Sequence, residues 1–291
     1  MKARMGIVSG RYRSSQTSIN GRSQPQTVIE LFGRTDTGAS VCLLVHGLRP
    51  SFEIAPIGTW DLEDGLPSFI KDRIENVRSM EHVLAVSGPE TKWTQLGDRP
   101  VWKIEVEQPF HVPALRKTLK TRSWQVFSGD IPFVNRLFLD GDVGMHIAFE
   151  GEVVDKRADQ GPVDKAEVLM AGGSGRYGVD ITVQCDIEQV RATEPFQVPY
   201  TLFSFDLETS IEHETVLCAA ACVEHLGSGE RQVFEYRGTE SEILEGLTAT
   251  VQATDPDIIT GYNIDNFDLP RLADRTNVCL LYTSDAADDR L

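Results

Sequence analysis

Between Phe203 and Thr209 the chain reads Phe-Ser-Phe-Asp-Leu-Glu-Thr, a strict alternation of apolar and polar side chains. A period of two is the signature of a β-strand with one buried and one polar face. Phe203, Phe205 and Leu207 are expected on the core side, and Ser204, Asp206 and Glu208 on the other. Two carboxylates at neighbouring positions of one face are costly to bury unless a cation lies between them. A hard divalent ion with oxygen ligands satisfies both. Taken alone, the spacing also suits an edge strand with a polar outer face.

A second stretch, Asp255 to Pro270, reads Asp-Pro-Asp-Ile-Ile-Thr-Gly-Tyr-Asn-Ile-Asp-Asn-Phe-Asp-Leu-Pro. Asp257 to Thr260 has the look of a short buried strand. Residues 261–266 carry turn chemistry. Leu269 and Leu272, with Pro270 between them, open a helix. A third carboxylate, Asp268, therefore falls at a strand-to-helix junction, where it is either a ligand or a plain helix cap.

Together the two stretches resemble the first and second exonuclease motifs of family B DNA polymerases. Asp206 and Glu208 match the Asp-x-Glu motif. Tyr262, Asn263, Phe267 and Asp268 match Tyr-Asn-x-x-x-Phe-Asp. The resemblance implies a mixed α+β chain: a β-rich amino-terminal domain over residues 1–195, then the first half of a ribonuclease-H-like 3′–5′ exonuclease domain over 196–278. It also implies a proofreading site built on two Mg²⁺ ions. In that site Asp206 bridges both ions, Glu208 binds one and orients the attacking water, and Asp268 supports the second. Asn263 and Phe267, beside Tyr262, position the frayed 3′ strand. The implied partner is DNA, as a single-stranded 3′ end on a primer-template. A sliding clamp would be engaged through a carboxy-terminal part beyond this chain.

At 291 residues the sequence has room for one large or two ordinary domains. Its 41% hydrophobic and 25% charged residues suit a soluble globular protein, and no apolar run approaches a membrane span. Cys42, Cys185, Cys218, Cys222 and Cys279 form no Cys-x-x-Cys pair, which argues against zinc and for a reducing, intracellular setting. That setting is cytoplasmic for an archaeal parent and nuclear for a eukaryotic one. The six histidines are scattered and receive no role. With 28 basic and 44 acidic residues the formal net charge is −16, so a DNA contact requires a local basic face.

Taken in order, residues 1–27 carry no Asp or Glu and several Arg, a transit-peptide composition. Gly6 to Tyr12 nevertheless reads as a first strand followed by a polar loop. Val28–Phe32 and Val41–His46 form a hairpin across Asp36-Thr-Gly38. Pro67–Val77 is an amphipathic helix burying Ile70, Ile74 and Val77, and Val101–Val106 is a strand. Pro113–Leu119 is a helix packing Ala114, Leu115 and Leu119. The opening from Val28 to Pro50 and the stretch Asp130–Leu139 resemble the same polymerases, both archaeal and delta-type. Archaeal members read template uracil in an amino-terminal pocket, and Pro50, Val101 and Phe133 fall where its residues lie, although Gly97–Pro100 is shortened. Gly173, Gly175 and Gly178 match Gly-x-Gly-x-x-Gly. The stretch that follows, Val179–Ile187, alternates as a strand, so the glycines suit a hairpin turn and not a dinucleotide site. Beyond Phe203–Thr209, strands are expected at Val216–Val223 and Arg231–Tyr236. A helix follows at Glu240–Gln252, burying Ile243, Leu244, Leu247 and Val251.

After Arg275 the resemblance stops. Every residue from Cys279 to Asp288 matches the conceptual translation of a transposon-type sequencing adapter, so residues 279–291 are expected to be a non-native tail. The family's fourth carboxylate, in Tyr-x-x-x-Asp, would lie further on. Tyr282-Thr-Ser-Asp285 is one residue short of that spacing. The chain by itself is accordingly expected neither to polymerise nor to proofread, and half a sheet is expected to leave an unpaired edge. Two other readings fit the same residues: a stand-alone two-metal exonuclease, and a non-catalytic module binding single-stranded nucleic acid.

Overall fold

The computed structural model describes residues 1–19, 22–58, 67–94, 97–156 and 177–278. Gly173 and Gly175 of the glycine turn and the tail from Cys279 lie outside them. The chain divides into two compact units. One comprises Met1–Phe32 with Ser40–Glu194; the other comprises Gly33–Ala39 with the chain from Pro195 onward.

The first unit is strand-rich. It holds β1 (Lys2–Ile19), β2 (Arg22–Thr35) as far as Phe32, β3 (Ser40–His46), β4 (Ser51–Pro56), helix α1 (Ser68–Arg78), β5 (Val83–Thr94) and β6 (Gly97–Val106). Helix α2 (Val112–Thr121), β7 (Trp124–Phe127), helix α3 (Phe133–Asp140), β8 (His146–Glu150), β9 (Glu152–Lys156), β10 (Ile181–Asp186) and β11 (Val190–Ala192) complete it. A seven-stranded sheet runs β11-β8-β1-β2-β3-β10-β9, and a four-stranded sheet runs β5-β6-β4-β7. Each sheet has its own apolar core. Met5, Ile29, Leu31, Leu43, Ile147 and Val183 pack with Phe133 and Leu137 of α3 on the larger one. Phe52, Ile54, Trp102 and Ile104 pack with Ile70, Ile74 and Val77 of α1 and Leu115 and Leu119 of α2 on the smaller. The expected hairpin and both helices are present. Two details differ. β1 continues to Ile19, where a loop was expected after Tyr12. Ala114 is exposed, because only Leu115 and Leu119, four residues apart, share the buried stripe of the short helix α2.

The larger sheet buries one carboxylate. Glu30, on β2, has a side chain only 2% exposed, whereas those of Arg11 and Arg13 are 55% and 35% exposed. Arg11 Nε donates to Glu30 Oε2 at 2.6 Å and Arg13 Nε to Oε1 at 3.1 Å. The Tyr177 hydroxyl donates to the same Oε1. The pairing raises the Arg11 guanidinium above its usual range, mainly through the hydrogen bond to Glu30.

The second unit is a four-stranded sheet, β14-β13-β12-β15, built from β12 (Thr201–Thr209), β13 (Val216–His225), β14 (Glu230–Tyr236) and β15 (Ile258–Thr260). Two helices accompany it, α4 (Glu240–Thr254) and α5 (Asp268–Val278). β12 pairs antiparallel with β13 and parallel with β15. Phe203, Phe205 and Leu207 pack with Ala219, Ala221 and Val223 of β13 and with Ile243, Leu244 and Leu247 of α4. A capping box starts α4: Thr239 accepts from the Glu242 amide, and the Glu242 carboxylate accepts from the Thr239 amide at 2.8 Å. Glu240, the first residue of α4, accepts from Val216 N at 2.8 Å and from Arg275 Nε of α5 at 2.7 Å, so one carboxylate joins both helices to β13.

The asymmetry around Glu30 sets an expected order of stabilities. Replacing Arg11 and Arg13 together by methionine should cost about 3–5 kcal/mol, because the remaining charge is sealed from water. Glu30→Gln should cost less, about 1–3 kcal/mol, since both guanidiniums reach solvent. Urea unfolding of the two variants measures this order directly, and the reverse order would overturn it.

Candidate active site

Strand β12 delivers the alternation its sequence demands. Phe203, Phe205 and Leu207 are buried; Asp206 and Glu208 are exposed on the opposite face. Their cross-strand partners are small: Asp206 lies opposite Ala220 and Glu208 opposite Cys218. Neither partner carries a charge, so nothing on β13 neutralises the two carboxylates from that side.

Asp268 comes to the same strand from the other edge. β15 runs parallel to β12, pairing Ile258, Ile259 and Thr260 with Leu202, Phe203 and Ser204. The chain then turns through residues 261–267 and enters α5 at Asp268. Gly261 makes the turn possible. A Cβ there would stand 2.4 Å from the Phe205 carbonyl oxygen and 2.3 Å from Ile264 Cγ2, closer than any side chain tolerates. Ile264 is buried beneath the turn, Asn263 occupies the left-handed region at φ 58°, and its carbonyl accepts from Asn266 N and Phe267 N. The outcome is that Asp268, only 2% exposed, accepts a hydrogen bond at Oδ1 from Leu207 N at 3.2 Å. That amide belongs to the residue between Asp206 and Glu208. Asp268 thus reaches across to β12.

Burial pushes the Asp268 carboxyl above its ordinary value. The Leu207 amide pulls the other way, and the nearby charge of Asp206 adds to the upward push. The buried acid and the two exposed ones form a set of oxygen donors of the kind hard divalent ions take. Their oxygens are not drawn together to ligand spacing. Among the described residues, the trio with potential ligand atoms within 4.8 Å of one another is His82, Glu107 and His111, in the first unit.

The flanking residues present themselves to solvent. Tyr262 is 91% exposed and Phe267 41%, with the Arg271 guanidinium 5.8 Å from the Phe267 ring centre and paired to Glu214 at 2.8 Å. Asn263 also accepts from the Asn266 side chain at 3.0 Å. Pro50, Val101 and Phe133 are each buried. Phe133 belongs to the core of the seven-stranded sheet and meets Tyr12 edge-on at 5.6 Å. Sequence reasoning missed Gly261, whose role rests on a close approach to another strand. It also missed the Glu240–Arg275 tie and the His82 cluster, because each joins residues well separated along the chain.

A family profile for the DNA polymerase family B exonuclease domain matches residues 211–287, a stretch that starts after Asp206 and Glu208 and includes Asp268. The catalytic subunit of DNA polymerase delta from Arabidopsis thaliana is 25% identical over 90% of this chain and 27% of its own length. DNA polymerase 2 of Aeropyrum pernix is 26% identical over 86% of this chain and 30% of its own length. Along most of its length the chain is similar to family B DNA polymerases. The family B DNA polymerase of Pyrobaculum calidifontis, a solved structure, superposes with a TM-score of 0.58 at 22% identity, covering 94% of this chain and 32% of that one, and so shares its fold. The chain spans just over a quarter of the length of the polymerase delta relatives it matches. Among the described residues no helix is long and apolar enough to cross a membrane.

Because burial raises its pKa, the Asp268 carboxylate opposes folding once the pH exceeds its unfolded-state value, and protonation removes the penalty. Asp268→Asn keeps an acceptor for Leu207 N without the charge. In chelator-treated buffer the variant should melt above the parent at pH 7.5, with the gap closing as pH falls through the carboxylate range. Thermal melts across pH check this, and a variant less stable than the parent at pH 7.5 would contradict it.

Proposed function

We propose that Asp206, Glu208 and Asp268 are carboxylates of a metal-dependent 3′–5′ exonuclease that proofreads in a family B DNA polymerase, of which this chain carries the amino-terminal domain and the first half of the exonuclease domain. The observation that carries the reading is the Leu207–Asp268 hydrogen bond, which ties the second motif to the strand bearing the first. The donor set fits Mg²⁺: all oxygen, two exposed carboxylates on one face and a third at the next element's start. A bound pair of Mg²⁺ ions supplies activation of water and stabilisation of the leaving 3′ oxygen. Asp206, central on the strand, would hold both ions. Glu208 would hold one and orient the attacking water. Asp268, fixed by the Leu207 amide, would support the second.

The 3′ end of single-stranded DNA would enter across the turn between β15 and α5. Tyr262 and Phe267 offer exposed ring faces for base stacking, an interaction that tolerates any base. Asn263 sits beside them in a conformation set by the turn. A primer-template as substrate, a sliding clamp as partner, and an intracellular or nuclear setting extend the same reading to the whole protein. Burial of Pro50, Val101 and Phe133 favours apolar packing over a template-base pocket at those positions.

Two measurements test this. The 291-residue chain should bind Mn²⁺ at a site that Asp206→Ala and Glu208→Ala each weaken at least about tenfold, while leaving 3′-labelled single-stranded DNA undegraded. In the longest product of the source gene, Asp206→Ala should lower 3′–5′ degradation by more than about 100-fold. Undiminished Mn²⁺ and DNA binding in the Asp206, Glu208 and Asp268 triple alanine variant would overturn the metal reading and leave a non-catalytic binding module.

A further inference from the structure

The first unit carries a cluster of potential metal ligands of its own. His82 immediately precedes β5 and Glu107 immediately follows β6, so the antiparallel pairing of Val83 with Val106 brings both to one end of the hairpin. His111 ends the 3-10 turn Pro109–His111 that comes next. His82 Nδ1 and Glu107 Oε2 are 2.9 Å apart. The His82 and His111 rings stack with centroids 3.6 Å apart and 14° between planes. Glu81 places a further carboxylate oxygen 3.6 Å from His82 Nε2. One potential ligand atom from each of His82, Glu107 and His111 lies within 4.8 Å of the other two, and all three residues are half-buried.

The backbone holds this arrangement at a cost. His82 adopts φ 67°, a left-handed conformation uncommon for any residue but glycine. The Glu107 amide secures it by donating to the His82 carbonyl at 3.0 Å. The His111 amide donates to the Gln108 carbonyl at 3.1 Å. The Gln108 side-chain oxygen in turn accepts from Thr27 Oγ1 at 2.8 Å, in a buried contact. An ion pair between His82 and Glu107 engages two of the three side chains, while the His111 ring is left with stacking alone, on His82 and against Phe110 at 4.3 Å. Two imidazoles and a carboxylate, with a second carboxylate at the rim, are instead a donor set suited to divalent transition metals.

We propose that His82, Glu107 and His111 bind one divalent transition-metal ion of the Zn²⁺ class, clamping the end of the β5–β6 hairpin to the turn that leads into α2. An ion shared by two imidazoles must lie near both ring planes, which parallel stacked rings do not allow. Binding therefore turns one ring out of the stack, and His111, carried on a three-residue turn, is the one that moves. The nitrogen donors select against Mg²⁺, which prefers an all-oxygen shell, so this site is separate in chemistry from the carboxylates of β12.

The test uses the 291-residue chain in millimolar Mg²⁺, titrated with Zn²⁺ by calorimetry and with Co²⁺ by visible absorption. One site per chain is expected. It should weaken at least about tenfold in His111→Gln and disappear in the His82→Gln, His111→Gln double variant. Zn²⁺ should raise the melting temperature of the parent and not that of the double variant. The proposal is overturned if the parent binds no Zn²⁺, or if the site survives in His111→Gln with unchanged affinity. Cobalt-thiolate charge-transfer bands, which would place the ion on cysteines, would also overturn it. His111→Gln alone decides the matter if the double variant does not fold.

Discussion

Strand β12 is hydrogen-bonded along both edges, and that pairing governs the second unit. With β13 on one side and β15 on the other, its backbone is satisfied and its side chains are forced to alternate. One face is committed to Phe203, Phe205 and Leu207 under α4. The other must then carry Asp206 and Glu208. The candidate site is in this sense a by-product of core formation: burying three apolar side chains presents two carboxylates at a fixed spacing on the far face. The parallel partner β15 adds the remaining piece, because the turn after it delivers Asp268 to the Leu207 amide.

Three acids among the described residues are held in different ways. Glu30 is sealed and surrounded by two guanidiniums and a phenol, a fully partnered charge. Glu240 is a structural tie between two helices and a strand. Asp268 is buried with backbone donors alone, the amides of Leu207 and of Asp268 itself, and a like charge nearby, and its acidity falls accordingly. A buried acid given less compensation than others in the same chain is the pattern expected where a cation is to be bound, since the ion supplies what the protein withholds. The contrast within one chain strengthens that reading, because full compensation was within reach of the same fold.

Much of this was legible from local pattern. The alternation at β12, the 3.6-residue stripe of α1 and the apolar face of α4 each follow from side-chain period alone, and the structure places them as read. The turn chemistry after Thr260 marked where the second motif would bend. Errors arose where tertiary packing extended or narrowed a local signal: β1 runs on to Ile19, Ala114 turns to solvent, and the strand expected to be buried at Asp257–Thr260 lies at the sheet edge with Ile259 exposed. None is decided by the residues next to it.

The sequence by itself determined which side chains share a face, and therefore that Asp206 and Glu208 sit together and that the motif around Asp268 follows a strand. Periodicity is a property of the backbone and needs no neighbours. Only the tertiary structure decided which elements meet. It set β15 parallel against β12, so that a residue sixty-one positions beyond Leu207 accepts that residue's amide hydrogen. It also closed the β5–β6 hairpin so that His82 and Glu107 meet beside His111. Such contacts depend on strand pairing between distant segments, and pairing is chosen by the burial of whole faces, which no local stretch of residues contains.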